Sequence, residues 1–440
     1  DYALEHGIYV QALEKLEQRV LGTSVPRTDK KPKIDREKVA IIGSGPAGLA
    51  AGQSLATKGY DVTIFEAEEV PGGAPAVYIP AYRLPKDILN FDIENIKNAG
   101  MKIKTNTRIG EDIPFSELRR NYRAIFIATG AHKSRKMRIP NEDAEGVIDA
   151  LELLRDVSLR KEAKIGKKVG VIGGGNAAVD AARTAVRLEG CEKVTIIYRR
   201  TRAEMPAFEE EVEAALEEGI ETQFLAAPTK IVTRNGKVTG VECIRMELGP
   251  IDESGRRSPV PIEGSEFVID VDTLIPAIGE EADLSFLGKD HGIEISRRGT
   301  LVVNPETFAT NVDGVFAGGD VVTGPNTVIE ATCAGKIAAE MIDKYIRGES
   351  LVREYKLTRP SMYMPPVELT EEEIEEAKRP EISALPRDRR IDNFNEVEST
   401  ISMETAIKEA RRCLRCYLET KEGKKWLEHK LLEKACAKGY

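Results

Sequence analysis

The sequence predicts an α/β protein with two parallel-sheet units, on three observations. A strand-like run, Lys38-Val-Ala-Ile-Ile, passes directly into the glycine turn Gly43-Ser-Gly45-Pro-Ala-Gly48 and then into an alanine-rich helix. The same design recurs from Lys167, with the turn Gly173-Gly-Gly175-Asn-Ala-Ala178, and such self-similarity implies two copies of one structural unit. The 440 residues also exceed one ordinary core and suit two or three domains. A strand, a glycine turn and a helix in that order make each unit a Rossmann-like dinucleotide-binding unit.

The first stretch, to about residue 22, spaces Ile8, Ala12, Leu13, Leu16, Val20 and Leu21 as one face of a short amphipathic helix. A polar, proline-containing linker follows from Thr23 to Arg36. After the first glycine turn the helix is expected over Ala47 to about Lys58 and the next strand over Asp61–Phe65, ending at Glu66. After the second turn the helix is expected to run through Arg187, with Lys193–Tyr198 as the next strand. From Glu349 the chain becomes rich in proline and charge, with helices expected over Thr370–Lys378 and Met403–Lys434.

Composition excludes several classes. Apolar residues make up 41% and charged residues 31%, as in a globular chain, and no run of about 18 uncharged apolar residues could span a membrane. A formal charge of −9 argues against nucleic acid, which needs a basic face to neutralise phosphate. Asp1–Val10 lacks the basic and apolar pattern of a signal peptide. Six scattered cysteines are too sparse for a disulfide scaffold and point to a reducing, cytoplasmic setting.

Each position of the first turn has a mechanical reason. Gly43 permits the tight turn, Gly45 lets the backbone approach a pyrophosphate, and Gly48 lets helix and strand pack closely. The helix start, Pro46 and Ala47, offers free N–H donors and the positive dipole end to phosphate. Glu66 is placed to accept from the hydroxyls of an adenosine ribose. The second turn, Gly173, Gly175, Asn176, Ala177 and Ala178, repeats this with alanine in the third place. Its next strand, however, ends in Tyr198-Arg199-Arg200-Thr-Arg202 instead of an acid. A carboxylate there would repel a 2′-phosphate, whereas guanidinium groups pair with it, so NADP(H) is favoured over NAD(H). The same arginines could instead form a solvated face or pair with Glu204, Glu209 and Glu210.

Several further stretches carry a resemblance: Pro71-Gly-Gly, Ile79-Pro-Ala-Tyr-Arg-Leu-Pro-Lys, Ala128-Thr-Gly, Tyr198-Arg-Arg-Thr-Arg-Ala-Glu-Met-Pro-Ala and Gly314-Val-Phe-Ala-Gly-Gly-Asp. With the glycine turns they make the chain similar to the small (beta) subunit of NADPH-dependent glutamate synthase and its relatives, over nearly its whole length. The resemblance implies an FAD domain, 37–147 and 277–347, interrupted by an NAD(P) domain at 148–276, between an N-terminal segment (1–36) and a C-terminal extension (348–440). Ala128-Thr129-Gly130 and Ala277-Ile278-Gly279 would be the two crossings. Gly72 and Gly73 would pass close to the flavin pyrophosphate, and Arg83 and Leu84 would lie near the isoalloxazine. Gly319 and Asp320 would meet the ribityl chain, and Thr327, Val328 and Ile329 would open a helix facing the flavin N1/O2 edge, where its dipole stabilises negative charge.

The implied activity is hydride transfer from NAD(P)H to FAD, with electrons leaving to iron–sulfur centres of a partner oxidoreductase subunit. It needs placement of nicotinamide C4 against flavin N5 and no side-chain acid or base. Two other readings stay open: a non-catalytic FAD-binding assembly or docking module, and a self-sufficient diaphorase. Such subunits carry a cysteine-rich N-terminal region, yet no cysteine precedes Cys191 here. Cys413-x-x-Cys416 and Cys436 fall short of the four thiolates a cluster takes, so a cluster would need ligands from outside this chain. Cys413 and Cys416 could supply half a cluster, a zinc site or nothing. A disulfide-reductase reading fails because the inserted domain offers only isolated Cys191 and Cys243. The four histidines read as isolated surface or satisfied residues, and Cys333 as a small buried one.

Overall fold

The computed structural model describes residues 37–252, 255–353 and 382–411, together with residues 370, 372 and 380. The segment expected over 1–36, most of the helix expected over Thr370–Lys378, and Cys413, Cys416 and Cys436 lie outside the described residues. So does the expected Met403–Lys434 helix beyond Arg411.

The first unit grows from β1 (Lys38–Ile42), whose Val39, Ala40, Ile41 and Ile42 are all buried. A continuous apolar run is what a strand covered on both faces requires. The glycine turn feeds α1 (Pro46–Thr57), and β2 (Asp61–Phe65) pairs parallel to β1, Lys38 opposite Asp61. Then come α2 (Lys86–Lys97), β3 (Lys102–Lys104) and β4 (Ala124–Ile127).

From β4 the chain crosses out through Ala128-Thr129-Gly130 to a second parallel sheet. Its strands are β5 (Lys168–Ile172), β6 (Lys193–Tyr198) and β7 (Glu221–Phe224), with α3 (Asn176–Ala185) and α4 (Glu209–Glu217) between them. The α3 helix ends two residues before the expected Arg187. That residue instead folds back and donates to the Arg183 carbonyl at 2.7 Å. An antiparallel sheet follows that the sequence reading did not include: β8 (Ala226–Arg234), β9 (Lys237–Ile251), β10 (Arg257–Pro261) and β11 (Phe267–Ile269). β12 (Thr273–Pro276) then returns to pair parallel to β5.

The chain crosses back through Ala277-Ile278-Gly279. Outgoing and returning segments form a small antiparallel ribbon, Ser134 opposite Glu280 and Lys133 opposite Glu281. β13 (Val315–Ala317) then joins β4, giving the first sheet the order β13-β4-β1-β2-β3, and the second sheet has the order β12-β5-β6-β7. In each sheet the order reverses beside the strand that carries the glycine turn, and ligands of open α/β sheets bind at such a point. The long α5 (Val328–Ile346) packs on α1 so closely that a Cβ on Gly335 would lie 2.1 Å from the Ala47 carbonyl oxygen. The last element among the described residues, α6 (Met403–Arg411), belongs to the C-terminal extension. Among the described residues no helix is long and apolar enough to cross a membrane.

Candidate functional site

The first glycine turn is shaped by contacts that only glycine allows. Gly43 has a φ of +100°, and a Cβ there would lie 2.3 Å from the Ala128 carbonyl oxygen of the first crossing. Gly73 also has positive φ, and its Cβ would lie 2.6 Å from the Gly45 Cα, so the 72–73 loop lies across the turn. Gly45 caps α1 with no side-chain hydrogen bond, and the helix opens with a proline. Its first N–H groups are therefore left for an anion.

Glu66 is buried at the end of β2, where one oxygen accepts from the Ser44 amide (2.8 Å) and hydroxyl (2.6 Å) and the other from the Glu68 amide (2.9 Å). A carboxylate has about four acceptor sites, so roughly one remains for a ribose hydroxyl while Ser44 keeps its present rotamer. The Thr129 hydroxyl, in the first crossing, is buried without a hydrogen-bond partner. An orphaned buried hydroxyl beside a glycine cradle fits a polar ligand. These residues fit a dinucleotide with its pyrophosphate at the start of α1.

The second turn repeats the geometry. A Cβ on Gly173 would meet the Ala277 carbonyl oxygen of the return crossing at 2.2 Å, as Gly43 meets Ala128. Gly175 caps α3 without a side-chain hydrogen bond, and Asn176 accepts from the Phe208 amide at 3.0 Å, which ties the 205–208 loop to this turn. The three arginines have three different fates. Arg200 is buried and held by Asp252 and the Arg257 carbonyl oxygen, both at 2.6 Å. Arg202 lies in an exposed pair with Glu213 at 2.9 Å. Arg199 is exposed, with burial of its surroundings and then Arg200 and Arg256 lowering its pKa. A cation crowded by other cations is a place for a phosphate dianion. The alternative pairing with Glu204, Glu209 or Glu210 does not occur: Glu204 instead bonds Thr201 in a capping box.

Between the two crossings lies a group of titratable side chains, of which the sequence singled out Asp320 but not Tyr78, His132 or Glu280. The Tyr78 hydroxyl and His132 Nδ1 are 2.8 Å apart. The His132 ring is solvent-accessible, yet the protein around it lowers its pKa by desolvation, as for a residue inside a cleft. Burial, then Asp320 and Asp149, raise Glu280 to about 7, and burial raises Asp320 to about 6. No motif places Glu280, since only the ribbon turns it inward.

In the folded state these two acids retain protons that the unfolded chain has released, Glu280 over roughly pH 4.5 to 7 and Asp320 over roughly pH 4 to 6. Their contribution to stability therefore falls as pH rises. Glu280→Gln is expected to gain on wild type by up to about 2 kcal/mol at pH 8, allowing for partial solvent screening, with little gain at pH 4.5. Urea unfolding at the two pH values measures this, and an equal offset at both contradicts it.

Arg83 binds Asp180 with two contacts of 2.8 and 2.9 Å and Glu211 at 2.7 Å, which ties the first unit to α3 and α4. Leu84 beside it is half-buried. Thr327 caps α5 in a capping box with Glu330, leaving Val328 and Ile329 exposed at its start. Cys333, expected to be buried, is exposed, because it falls on the outer face of α5 beside Ile329 and Lys336. Cys243 is buried, its thiol pushed up to about 12, and Cys191 is half-buried. Among the described residues no group of three or more His, Cys, Asp or Glu could hold a metal ion.

Comparison with known proteins adds four findings. Residues 37–335 match the family described as pyridine nucleotide-disulphide oxidoreductase. The chain is 47% identical to the NADP(+)-dependent formate dehydrogenase subunit beta of Moorella thermoacetica, over 87% of this chain but only 54% of that protein. It is 38% identical to the NADPH glutamate synthase small chain of Azospirillum brasilense, covering 71% of this chain and 67% of the relative. Among solved structures, Mycobacterium tuberculosis FprA in complex with NADPH shares the fold, at 19% identity and a TM-score of 0.61 over 71% of this chain and 85% of that one.

Proposed function

Because this chain belongs to the pyridine nucleotide-disulphide oxidoreductase family, we infer that it is the electron-input flavoprotein subunit of an oxidoreductase complex. It binds FAD in the first glycine turn and NADP(H) in the second, and it passes electrons to iron–sulfur centres of a partner subunit. Residues 37–147 and 277–347 make the FAD-binding domain, 148–276 the NADP-binding domain, and 348–440 an extension that carries Cys413 and Cys416. The setting is cytoplasmic.

One observation carries this reading. Two glycine turns of the same build, each opening a helix at the reversal point of a parallel sheet, are joined by a double crossing that contacts both turns. When bound, a flavin supplies the chemistry of accepting a hydride and releasing single electrons. This chain's residues do the rest. The α1 and α3 N-termini hold the two pyrophosphates. Glu66 orients one ribose, and Arg199 recognises a 2′-phosphate on the other nucleotide. The Thr129 hydroxyl and Asp320 meet the flavin side, and the α5 N-terminus favours negative charge there. The names of the formate dehydrogenase and glutamate synthase relatives both include NADP, which supports that choice over NAD.

Anaerobic mixing with NADPH is expected to bleach the visible absorbance of the flavin, and NADH to do so far less well. Arg199→Ala should weaken NADPH by roughly 10- to 100-fold, the loss of one or two charge-assisted hydrogen bonds, and leave NADH unchanged. Equal losses for both nucleotides would remove Arg199 from the 2′-phosphate site. No bleaching by either would favour the docking-module reading.

A further inference from the structure

Tyr82 is a buried tyrosine of the first unit, 1% exposed, and three segments of the chain converge on it. From the second unit, the guanidinium groups of Arg183 and Arg187 lie over its ring, 4.6 and 4.1 Å from the centroid. Its hydroxyl points at the Asp180 carbonyl oxygen at 3.4 Å. Residues 180, 183 and 187 lie on one face of α3 and the turn that follows it, by helical spacing. Arg83, the next residue in the chain, grips the Asp180 carboxylate on that face.

The third segment comes from the C-terminal extension. The Phe394 ring packs 6.3 Å from that of Tyr82, and the Val397 amide donates to the Tyr82 carbonyl oxygen at 3.0 Å. The same stretch also holds the second unit. Buried Arg390 donates to its own Leu385 carbonyl oxygen at 2.7 Å and pairs with Glu217 of α4 at 3.2 Å. Arg387 lies so close over Gly219 that a Cβ there would meet its guanidinium at 2.1 Å.

We infer that Tyr82 is a positioning residue: it keys α3 of the second unit and the strap 385–397 onto the first unit, and so fixes how the two glycine turns face each other. The mechanics follow from α3 itself. This helix starts at the second glycine turn, so a rigid displacement of its Tyr82-facing side moves the turn by a similar amount. Hydride transfer tolerates little misplacement, and a shift of about 1 Å can cost about 100-fold in rate. The ring is what the arginines and Phe394 contact, so the ring does the keying and the hydroxyl does not.

The inference uses the proposed function only in its rate measurement, and a second readout does not depend on it. In the full-length, FAD-loaded chain, Tyr82→Ala is expected to leave flavin content and NADP(+) affinity unchanged. The rate of flavin reduction by NADPH should fall by roughly 100-fold. Hydrogen exchange of the 385–397 amides, and of α3 from Asp180 onward, should speed up in the same variant. Tyr82→Phe should restore both the rate and the exchange protection. Tyr82→Leu, which keeps apolar volume but has no ring face for the arginines, should behave like the alanine variant and serves if alanine prevents folding. Wild-type rate and wild-type exchange in Tyr82→Ala or Tyr82→Leu would overturn the inference, as would a Tyr82→Phe variant as impaired as alanine. A wild-type flavin that NADPH fails to reduce would count against the proposed function alone, because the exchange measurement would still decide the role of Tyr82.

Discussion

Gly45→Ala is expected to give a folded protein with a weakened hold on FAD. The glycine has an ordinary φ of −66°, and the nearest atom to a Cβ there, the Gly73 Cα, is 4.0 Å away, so the polypeptide accommodates the methyl group. Alanine caps a helix less well than glycine, at a cost of well under about 1 kcal/mol. The methyl group projects where a pyrophosphate approaches the start of α1, and overpacking there costs about 1–3 kcal/mol, or roughly 10- to 100-fold in FAD affinity. Gly175→Ala is the matching variant, with Pro206 as the nearest neighbour of its Cβ at 3.9 Å. It should keep the yellow colour and lose NADPH. Titration of the stripped protein with FAD, beside a thermal melt, reads both effects, and full FAD affinity in Gly45→Ala contradicts the cradle. Gly43→Ala would not test it, because positive φ and the Ala128 carbonyl oxygen make that change unfold the turn itself.

Glu218→Ala is expected to cause the largest loss of stability, about 3–5 kcal/mol in urea unfolding. The Glu218 side chain has no solvent exposure, and it accepts from Arg183 at 2.7 and 3.2 Å and from Arg187 at 2.6 and 2.9 Å. Its removal leaves two buried guanidinium groups short of a counter-charge, and these are the groups that clasp Tyr82. Burial alone would raise the Glu218 pKa, but Arg187 and Arg183 together hold it below its usual 4.5. Its contribution is thus present above about pH 4.5 and disappears as pH falls through the depressed value. Wild type and variant should converge on acidification, and a constant gap down to pH 3 would refute the assignment.

The two nucleotide-binding halves were legible because their signals are local. Strands Asp61–Phe65 and Lys193–Tyr198 fall where the sequence places them, and the first helix is offset by one residue. Apolar runs, glycine turns and helix starts act within about ten residues of one another. The antiparallel sheet was missed although it carries its own sign. Asn235-Gly236 joins β8 to β9 with positive φ at both residues, the signature of a two-residue hairpin. What the sequence could not divide was the labour among Arg199, Arg200 and Arg202. The anchor of Arg200 is Asp252, 52 positions away, and no spacing rule spans that distance. Arg83 is a similar case: its partners Asp180 and Glu211 lie on helices of the other unit and come within reach only once both sheets are folded and docked.

The ribbon formed by 133–134 and 280–281 has an evolutionary and practical corollary. Because both connections leave the first sheet side by side, the chain from Arg135 to Gly279 enters and leaves at one place, its two ends about 5 Å apart, and its further ties to the first unit, through Tyr82 and Arg83, are non-covalent. A gene encoding such a module can be spliced into a host fold, or removed from it, at one locus without re-threading the host. Excising that segment and rejoining Ser134 to Glu280 through a short glycine bridge should leave a compact, yellow, FAD-loaded remnant that is blind to NADPH.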